Sequence, residues 1–430
     1  MININKKYQP YIIIIPAVIV VYGLIYLFSG DFFVAAPNAY NSYSRQALAW
    51  LSGRLDLPEN VPWLELAVFD GRYFVSFPPF PSLVLLPFVL FFGINTPDNF
   101  IAFIISICSL VYAYKLGSKI LKNEVYAGFM SLFLILGTNY LHISLWGSVW
   151  YIAQNMAFLF TLMAFYYSVS DNKKHAVIAL FLFCAAMGCR PFNVLYLPVV
   201  LYMIYLREDT AFIAYIKKLL VYSIPAFILG GFYMWLNYAR FGNIFEFGHN
   251  YLPEFVNDPH GQFYTGRILS NLTRMFFNLN ITDFPMFHGF AFWLASPIVI
   301  TFFVCYGLFI WKFIKGKACQ ADGSTVQYQR DGSIALPARL SDNKSEKYII
   351  FAVCLLTLTH ILLFSTHRTL GGHQFGSRYT VDTLPSFYLG LLFILKNLNP
   401  NNKIFLNTTP LLFGLLLNYT GTIQFMSYYY

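Results

Sequence analysis

Apolar residues run through this chain in long stretches, and short polar segments separate them. A membrane span needs about 20 predominantly apolar residues. On that measure the pattern gives eleven candidate spans, at 11–29, 98–117, 124–140, 150–169, 176–190, 192–206, 219–238, 291–311, 348–365, 382–396 and 404–419. The run Phe80–Phe92 is different, because it is short and contains Pro81 and Pro87. Its length predicts an interfacial or re-entrant helix rather than a full crossing.

The rhythm first breaks early. Residues 31–87, directly after the first span, are rich in aromatics, proline and paired charges. They are too polar for the hydrocarbon and too structured in composition for a linker. Within them, Tyr40, Tyr43, Ala47 and Leu51 fall at helical spacing, and Gly53 follows as a stop signal. Asp70-Gly71 marks a turn, and Pro78-Pro79 breaks the chain before the short apolar helix. The expected arrangement is a surface helix, a turn and a second surface helix.

Composition sharpens the class. Of 430 residues, 58% are hydrophobic and only 11% charged, and mean hydropathy is +0.57. A soluble domain carries about 25% charged residues. The chain therefore reads as an all-α integral membrane protein of one polytopic domain, 1–430. Span 11–28 is long for a signal sequence and lacks a small-residue cleavage site, so it is expected to stay as the first helix.

The net charge of +9 raises the question of nucleic acid, and its distribution answers it. With the N-terminus inside and eleven spans alternating, 19 of the 28 basic residues fall on the inner side and nine on the outer. That asymmetry is the positive-inside signal and predicts an N-in/C-out topology. A full crossing by Phe80–Phe92 would reverse the later loops and destroy it. All sixteen lysines fall inside, and every outer basic residue is arginine. Guanidinium pairs bidentately with phosphate and keeps its charge when partly desolvated. Two readings of those arginines stand: aromatic-stacked anchors at the interface, or a phosphate grip at the outer face.

Three outer loops are substantial, at 30–97, 239–290 and 366–381, whereas 312–347 is a Gly-, Ser- and charge-rich inner loop expected to be flexible. The six cysteines show neither metal spacing nor a disulfide ladder. No internal repeat of the transporter kind is evident. The first loop carries Asp56, Glu59, Glu65 and Asp70, any of which could deprotonate a hydroxyl or bind a metal, although Asp70 suits a turn. The middle loop offers Glu246, His249, Glu254 and Asp258 for acceptor contacts. The last loop sets His367, Arg368, His373 and Arg378 beside Gly371, Gly372 and Gly376. Glycines permit close backbone approach to a ligand, and the two arginines could cradle a phosphate. The two histidines are conceivable metal ligands, and no cofactor is required by the pattern.

Four segments, NAYNSYSRQALAWLSGRL (38–55), GRYFVSFPPFP (71–81), RFGNIFEFGHNY (240–251) and GGHQFGSRY (371–379), together resemble the GT-C superfamily of polytopic membrane glycosyltransferases. That group includes protein O-mannosyltransferases, aminoarabinose transferases and family 39-like membrane proteins. The resemblance implies a sugar donor on a polyprenyl phosphate, inverting transfer on the outer face and an extracytoplasmic acceptor. It departs at one point. Family members place an acid about fourteen residues before the glycine that closes the first surface helix, and here that position is Ala39, flanked by Asn38 and Asn41. The acid often found before the Pro-Pro pair is also absent.

The functional expectation is therefore a glycosyltransferase of a cell-envelope membrane, compositionally bacterial. Glu65, Asp70 or Asp31 would be the base. Arg378, assisted by Arg368 and His373, would hold the donor phosphate, with Arg72 and Arg45 as further candidates. Glu246 and His249 would contact the acceptor. The alternative is a non-catalytic transporter or binding protein for lipid-linked saccharides.

Overall fold

A computed structural model describes residues 9–30, 34–208, 210–280, 289–319, 343–398 and 403–429. Among them the chain is almost wholly helical. The long helices are α1 (Gln9–Phe28), α4 (Asp98–Leu121), α5 (Glu124–Leu136), α7 (Val149–Ser168), α8 (His175–Met187), α9 (Leu197–Glu208), α10 (Phe212–Tyr222), α11 (Ile224–Phe241), α15 (Ile298–Cys319), α16 (Asn343–Ser365), α17 (Leu384–Asn397) and α18 (Lys403–Tyr429). Shorter ones sit in the loops: α2 (Ser42–Leu51), α3 (Phe80–Phe92), α6 (Tyr140–Ile143), α12 (Pro253–Val256), α13 (Ile268–Phe277) and α14 (Phe292–Ala295).

Each of the eleven apolar stretches falls on helical structure, although 219–238 and 291–311 are each divided between two helices. Among the described residues four helices, α1, α4, α7 and α16, are long and apolar enough on their own to cross a membrane, and the bent pair α10–α11 makes a fifth span if counted as one. This is the architecture of an integral membrane protein. The most enclosed of the four is α7, which packs against α4, α8, α9 and α17. Exposed apolar side chains cover the outer helices, as expected where lipid is the solvent; Ile13, Leu27, Phe91 and Ile228 are among them.

Prolines account for the irregularities. The expected span at 219–238 is interrupted at Ser223, where α10 and α11 meet at 52° with Pro225 in the first turn of α11. Proline has no N–H to continue the preceding helix and suits a helix start. The 192–206 stretch likewise opens as a 3₁₀ turn, Pro191–Tyr196, before α9. Another 3₁₀ turn, Arg378–Thr383, leads into α17.

The first long loop corrects the expectation of two surface helices joined by a simple turn. Helix α2 and helix α3 are present, but a β-hairpin stands between them. Strand β1 (Leu66–Phe69) pairs antiparallel with β2 (Arg72–Val75), with Leu66 opposite Val75 and Phe69 opposite Arg72. Asp70 and Gly71 both have positive φ, +50° and +69°. That is the geometry of a tight hairpin turn, for which Asp-Gly is favoured. In α2 the buried stripe contains Tyr43 and Ala47 as the spacing predicts, while Tyr40 and Leu51 are exposed. The polar Ser42, Ser44 and Gln46 are buried with it. Gly53 closes the segment at φ +72°.

Both ends of the 312–347 loop are helical, since α15 runs to Cys319 and α16 begins at Asn343. The remainder of that loop, and Asp31, lie outside the described residues.

Candidate active site

The three long loops converge on one cavity of about 350 Å³. Tyr43, Phe77 and Pro78 come from the first loop. Phe245, Glu246, Phe247, His249 and Asn250, with Gln262 and Phe263, come from the middle loop. His367 and Tyr379 come from the last. Trp150 and Ala153 of α7, with Arg190 and Phe192 beyond α8, complete the wall.

Backbone bonds stitch the loops together. The Tyr264 N–H donates to the Thr366 carbonyl at 2.8 Å, and the Arg368 N–H to that of Gln262 at 2.9 Å. Asp258 binds Arg267 and Arg368, each at 2.8 Å. Arg240 of α11 is fully buried and donates to the Val75 carbonyl at 3.0 Å, tying the middle loop's root to the hairpin. The ring of His249 contacts the Ser76 carbonyl through Nδ1. Nδ1 therefore carries the proton, and Nε2 is left as an acceptor. Burial pushes His249 down to about 4 and His367 to about 3, so both imidazoles are neutral near pH 7.

Arg378 is the distinctive group. It is 6% exposed, and its guanidinium packs over the rings of Trp150, Tyr151 and Tyr379, at 5.8, 5.4 and 5.5 Å from their centroids. Its Nε has no hydrogen-bond partner, and among the described residues no carboxylate oxygen lies within 4.0 Å of it. Burying an unpaired cation is expensive. The glycines explain how it is held. A Cβ on Gly371 would come to 3.0 Å from Arg378 Nε, and one on Gly376 to 2.4 Å from Asn139 Oδ1. The Gln374 side chain accepts from the Arg378 N–H and donates to the Leu370 carbonyl at 2.8 Å, which fixes the turn.

Glu65, the residue before β1, is exposed and lies outside the cavity wall, linked to it through Trp150. Its Oε2 accepts from Trp150 Nε1 at 2.8 Å. Although the residue is exposed, protein packed around its carboxyl desolvates it and raises it above the usual range, and the Trp150 bond and the Arg378 charge oppose that rise. Glu254 is raised by burial and then by Glu65, and Arg368 lowers it from 3.6 Å away.

The remaining expected residues separate clearly. Arg368 belongs to the Asp258–Glu254 ion pairs. The Glu246 carboxylate accepts from the Gly248 N–H at 2.5 Å and from the Asn250 amide, so it shapes its own loop while lining the cavity. Asp70 and Arg72 stand exposed at the hairpin turn, away from the cavity wall, and Arg72 lies over Phe74 at 5.3 Å. Arg45 is half-buried on α2 and donates to Asn41 Oδ1 at 2.9 Å. His373 is exposed, and its carbonyl accepts from Tyr151 Oη at 3.3 Å. Beside Ala39, Asn38 is buried and donates to Asn99 Oδ1 at 3.1 Å. Among the described residues no group of three or more His, Cys, Asp and Glu is placed to hold a metal ion.

Sequence reasoning missed Trp150, Arg190 and Asp382. Arg190 binds Asp382 through Nε at 2.8 Å, and Gln154 of α7 donates to the other Asp382 oxygen at 2.9 Å. A lone arginine between two apolar stretches was the available signal for Arg190.

Fold and site together define a polytopic helical membrane protein whose loops enclose a site rich in aromatics and arginine. No protein-family model and no curated protein sequence matches the chain. Solved structures do. ArnT from Cupriavidus metallidurans in the apo state aligns with a TM-score of 0.51 at 11% identity, over 94% of this chain and 62% of that one. The same protein bound to undecaprenyl phosphate aligns at 0.50 and 12% identity, over 98% of this chain and 77% of that one. The chain thus spans about three-fifths of the first of these structures. The molecule has a GT-C-like fold.

Proposed function

We propose that this protein transfers a sugar from a polyprenyl-phosphate carrier to an acceptor hydroxyl at the outer face of a bacterial cytoplasmic membrane. The observation that carries the proposal is Arg378, a buried guanidinium with no carboxylate partner among the described residues, set in aromatic rings beside a loop-built cavity. Such a group is paired when a phosphate arrives. The ArnT structure with undecaprenyl phosphate, on the same fold, supports that class of ligand.

In this reading eleven helices cross the membrane N-in/C-out, and the cavity faces the extracytoplasmic side. Helix α3 lies at the interface, where its exposed Leu90, Phe91 and Phe92 meet the prenyl chain and lipid. Glu65 takes the proton of the acceptor hydroxyl. The acceptor oxygen forms a bond to the anomeric carbon. The bond from that carbon to the phosphate oxygen breaks, and its electron pair leaves with the polyprenyl phosphate. A single displacement of this kind inverts the anomeric configuration. Arg378 stabilises the charge that grows on the leaving phosphate, the position where fixed cations contribute most. Arg368 is a positioning residue acting through Asp258. The neutral His249 accepts a hydrogen bond from a hydroxyl in the cavity.

The asparagines at 38 and 41 favour one other reading, binding of the lipid-linked saccharide without transfer. Purified protein with a radiolabelled polyprenyl-phosphate sugar and an alcohol acceptor separates the two. Labelled product that disappears in Glu65→Gln supports transfer. Saturable binding with no product establishes the binding protein, and absence of both overturns the lipid-phosphate assignment.

A further inference from the structure

Arg190 stands within the cavity wall, and its relation to Arg378 was not anticipated. Its guanidinium carbon lies 5.2 Å from the centroid of the Tyr379 ring, and that of Arg378 lies 5.5 Å from the same centroid. One tyrosine therefore carries two guanidiniums, no more than about 11 Å apart. The two differ in how they are held. Asp382 binds Arg190 at Nε, and Gln154 in turn holds Asp382. That contact uses the inner edge of the fork. The two terminal nitrogens of Arg190 make no hydrogen bond among the described residues, and the side chain is 23% exposed. Arg378 spends no part of its guanidinium on a carboxylate among the described residues.

An arginine fixed through Nε presents its terminal N–H groups as a preset pair of donors for an oxyanion. The rest of the cavity supplies little competition. His249 and His367 are neutral, and Glu246 is engaged by its own loop. Aromatic faces make up much of the remaining wall, including Trp150, Phe192 and Phe263. One oxyanion at Arg378 leaves the terminal nitrogens of Arg190, whose Nε alone is taken by Asp382, without an acceptor in the site. Charge-assisted N–H···O contacts of about 2.8 Å from each side let two linked oxyanions bridge the two forks across Tyr379.

We propose that the donor carries a second anionic group and that Arg190 binds it. The inference rests on the proposed function and narrows its substrate. The shared chemistry is an oxyanion next to the first phosphate, and two sources fit: the second phosphate of a diphosphate bridge, or a carboxylate on the transferred sugar.

The test measures binding to full-length protein in nanodiscs of neutral lipid, with three probes: polyprenyl phosphate, polyprenyl diphosphate and a polyprenyl-phosphate uronic acid. One of the two probes that carry a second anionic group is expected to bind at least tenfold more tightly than polyprenyl phosphate, and whichever does so names the source. Arg190→Lys keeps the charge opposite Asp382 and loses the fork. The double variant Arg190→Gln/Asp382→Asn removes the pair together, so no buried carboxylate is stranded. Both should bring the preference down to about twofold or less. Equal binding of all three probes by the parent overturns the inference and leaves the proposed function standing, as does a preference that both variants retain. Failure of the parent to bind any of the three overturns both.

Discussion

Trp150 at the start of α7 donates its indole N–H to the Glu65 carboxylate at 2.8 Å, across 85 residues of sequence. The same indole ring lies against the Arg378 guanidinium. One side chain thus sets the orientation of the proposed base and walls the proposed phosphate grip. The bond also lowers the proton affinity of Glu65, against the local desolvation that raises it. A base must be ionised to act, so transfer should rise with pH through the elevated Glu65 pKa. Trp150→Phe removes the bond that favours the carboxylate. The acid limb of the rate profile should then move to higher pH, with activity recovering in alkaline buffer. Glu65→Gln should lower turnover by about a hundred- to ten-thousand-fold and bind donor as before. A Trp150→Phe profile that is scaled down without shifting would remove Glu65 from the mechanism.

Arg378 makes the opposite kind of prediction for stability and for binding. With no ligand, its buried charge is a liability, because a desolvated cation lacking a partner destabilises the fold. Arg378→Gln should therefore melt no lower than the parent in ligand-free detergent solution. It should also lose donor affinity by about 2 kcal/mol or more, the usual cost of removing one member of a buried charge contact, or roughly thirty-fold. Thermal shift with and without polyprenyl phosphate reads both quantities. A variant that melts well below the parent and binds donor normally would make Arg378 a structural residue.

The features that could be read in advance are those coded by neighbouring residues. Apolar runs gave the helix positions, Asp70-Gly71 gave a turn, and three glycines in ten residues pointed at Arg378. The hairpin around that turn was hidden because each strand has only four residues, too few for alternation to stand out beside two apolar helices. The breaks at Ser223 and Pro191 follow from prolines whose effect was underweighted in apolar stretches. Contacts made by the fold were not legible at all. Arg190 meets Asp382 across 192 positions, and Tyr196 meets His360 across 164. Arg368 had an evident charge and an invisible partner, Asp258, which turns it from a free phosphate ligand into part of a clamp.

The hairpin turn carries an acid that the proposed reaction does not use. Asp70 has φ +50° and is exposed, and Gly71 has φ +69°. Aspartate tolerates the left-handed region better than β-branched residues, for which it costs roughly 1–2 kcal/mol. Asp70→Asn should leave transfer within twofold of the parent. Gly71→Val should lower stability by about that amount and loosen the hairpin. Tyr73 and Phe74 amide exchange would report the loosening. Loss of transfer in Asp70→Asn, with the fold intact, would return Asp70 to the list of bases.

Topology can be read at two exposed sites, Asp70 in the first long loop and Lys173 between α7 and α8. In a background lacking the native cysteines, Asp70→Cys should react with a membrane-impermeant maleimide on intact cells. Lys173→Cys should react only after permeabilisation. The reverse pattern would place the cavity on the cytosolic side and rule out an extracytoplasmic acceptor.

Asp258 governs how the middle loop meets the last one. Its carboxyl is held below the usual aspartate range, first by the His260 backbone N–H and then by Arg267 and Arg368. A carboxylate with a depressed folded-state pKa contributes stability that is fully present above its unfolded value, about 3.9. That contribution is lost as pH falls through the lower folded value. The clamp should thus stay closed at pH 5 and open only in stronger acid. Asp258→Asn should open it at neutral pH, because amide replaces the charge that both arginines share. The Tyr264 and Arg368 amides, which bridge the two loops through Thr366 and Gln262, report the state directly. Their hydrogen exchange should accelerate in Asp258→Asn at pH 7, and in the parent only below pH 4. Donor binding should weaken in parallel, because the same bridge positions His367 and Tyr379 in the cavity wall. Unchanged protection in Asp258→Asn would mean that the Phe263–His367 backbone pairing alone holds the loops and that the ion pairs are incidental.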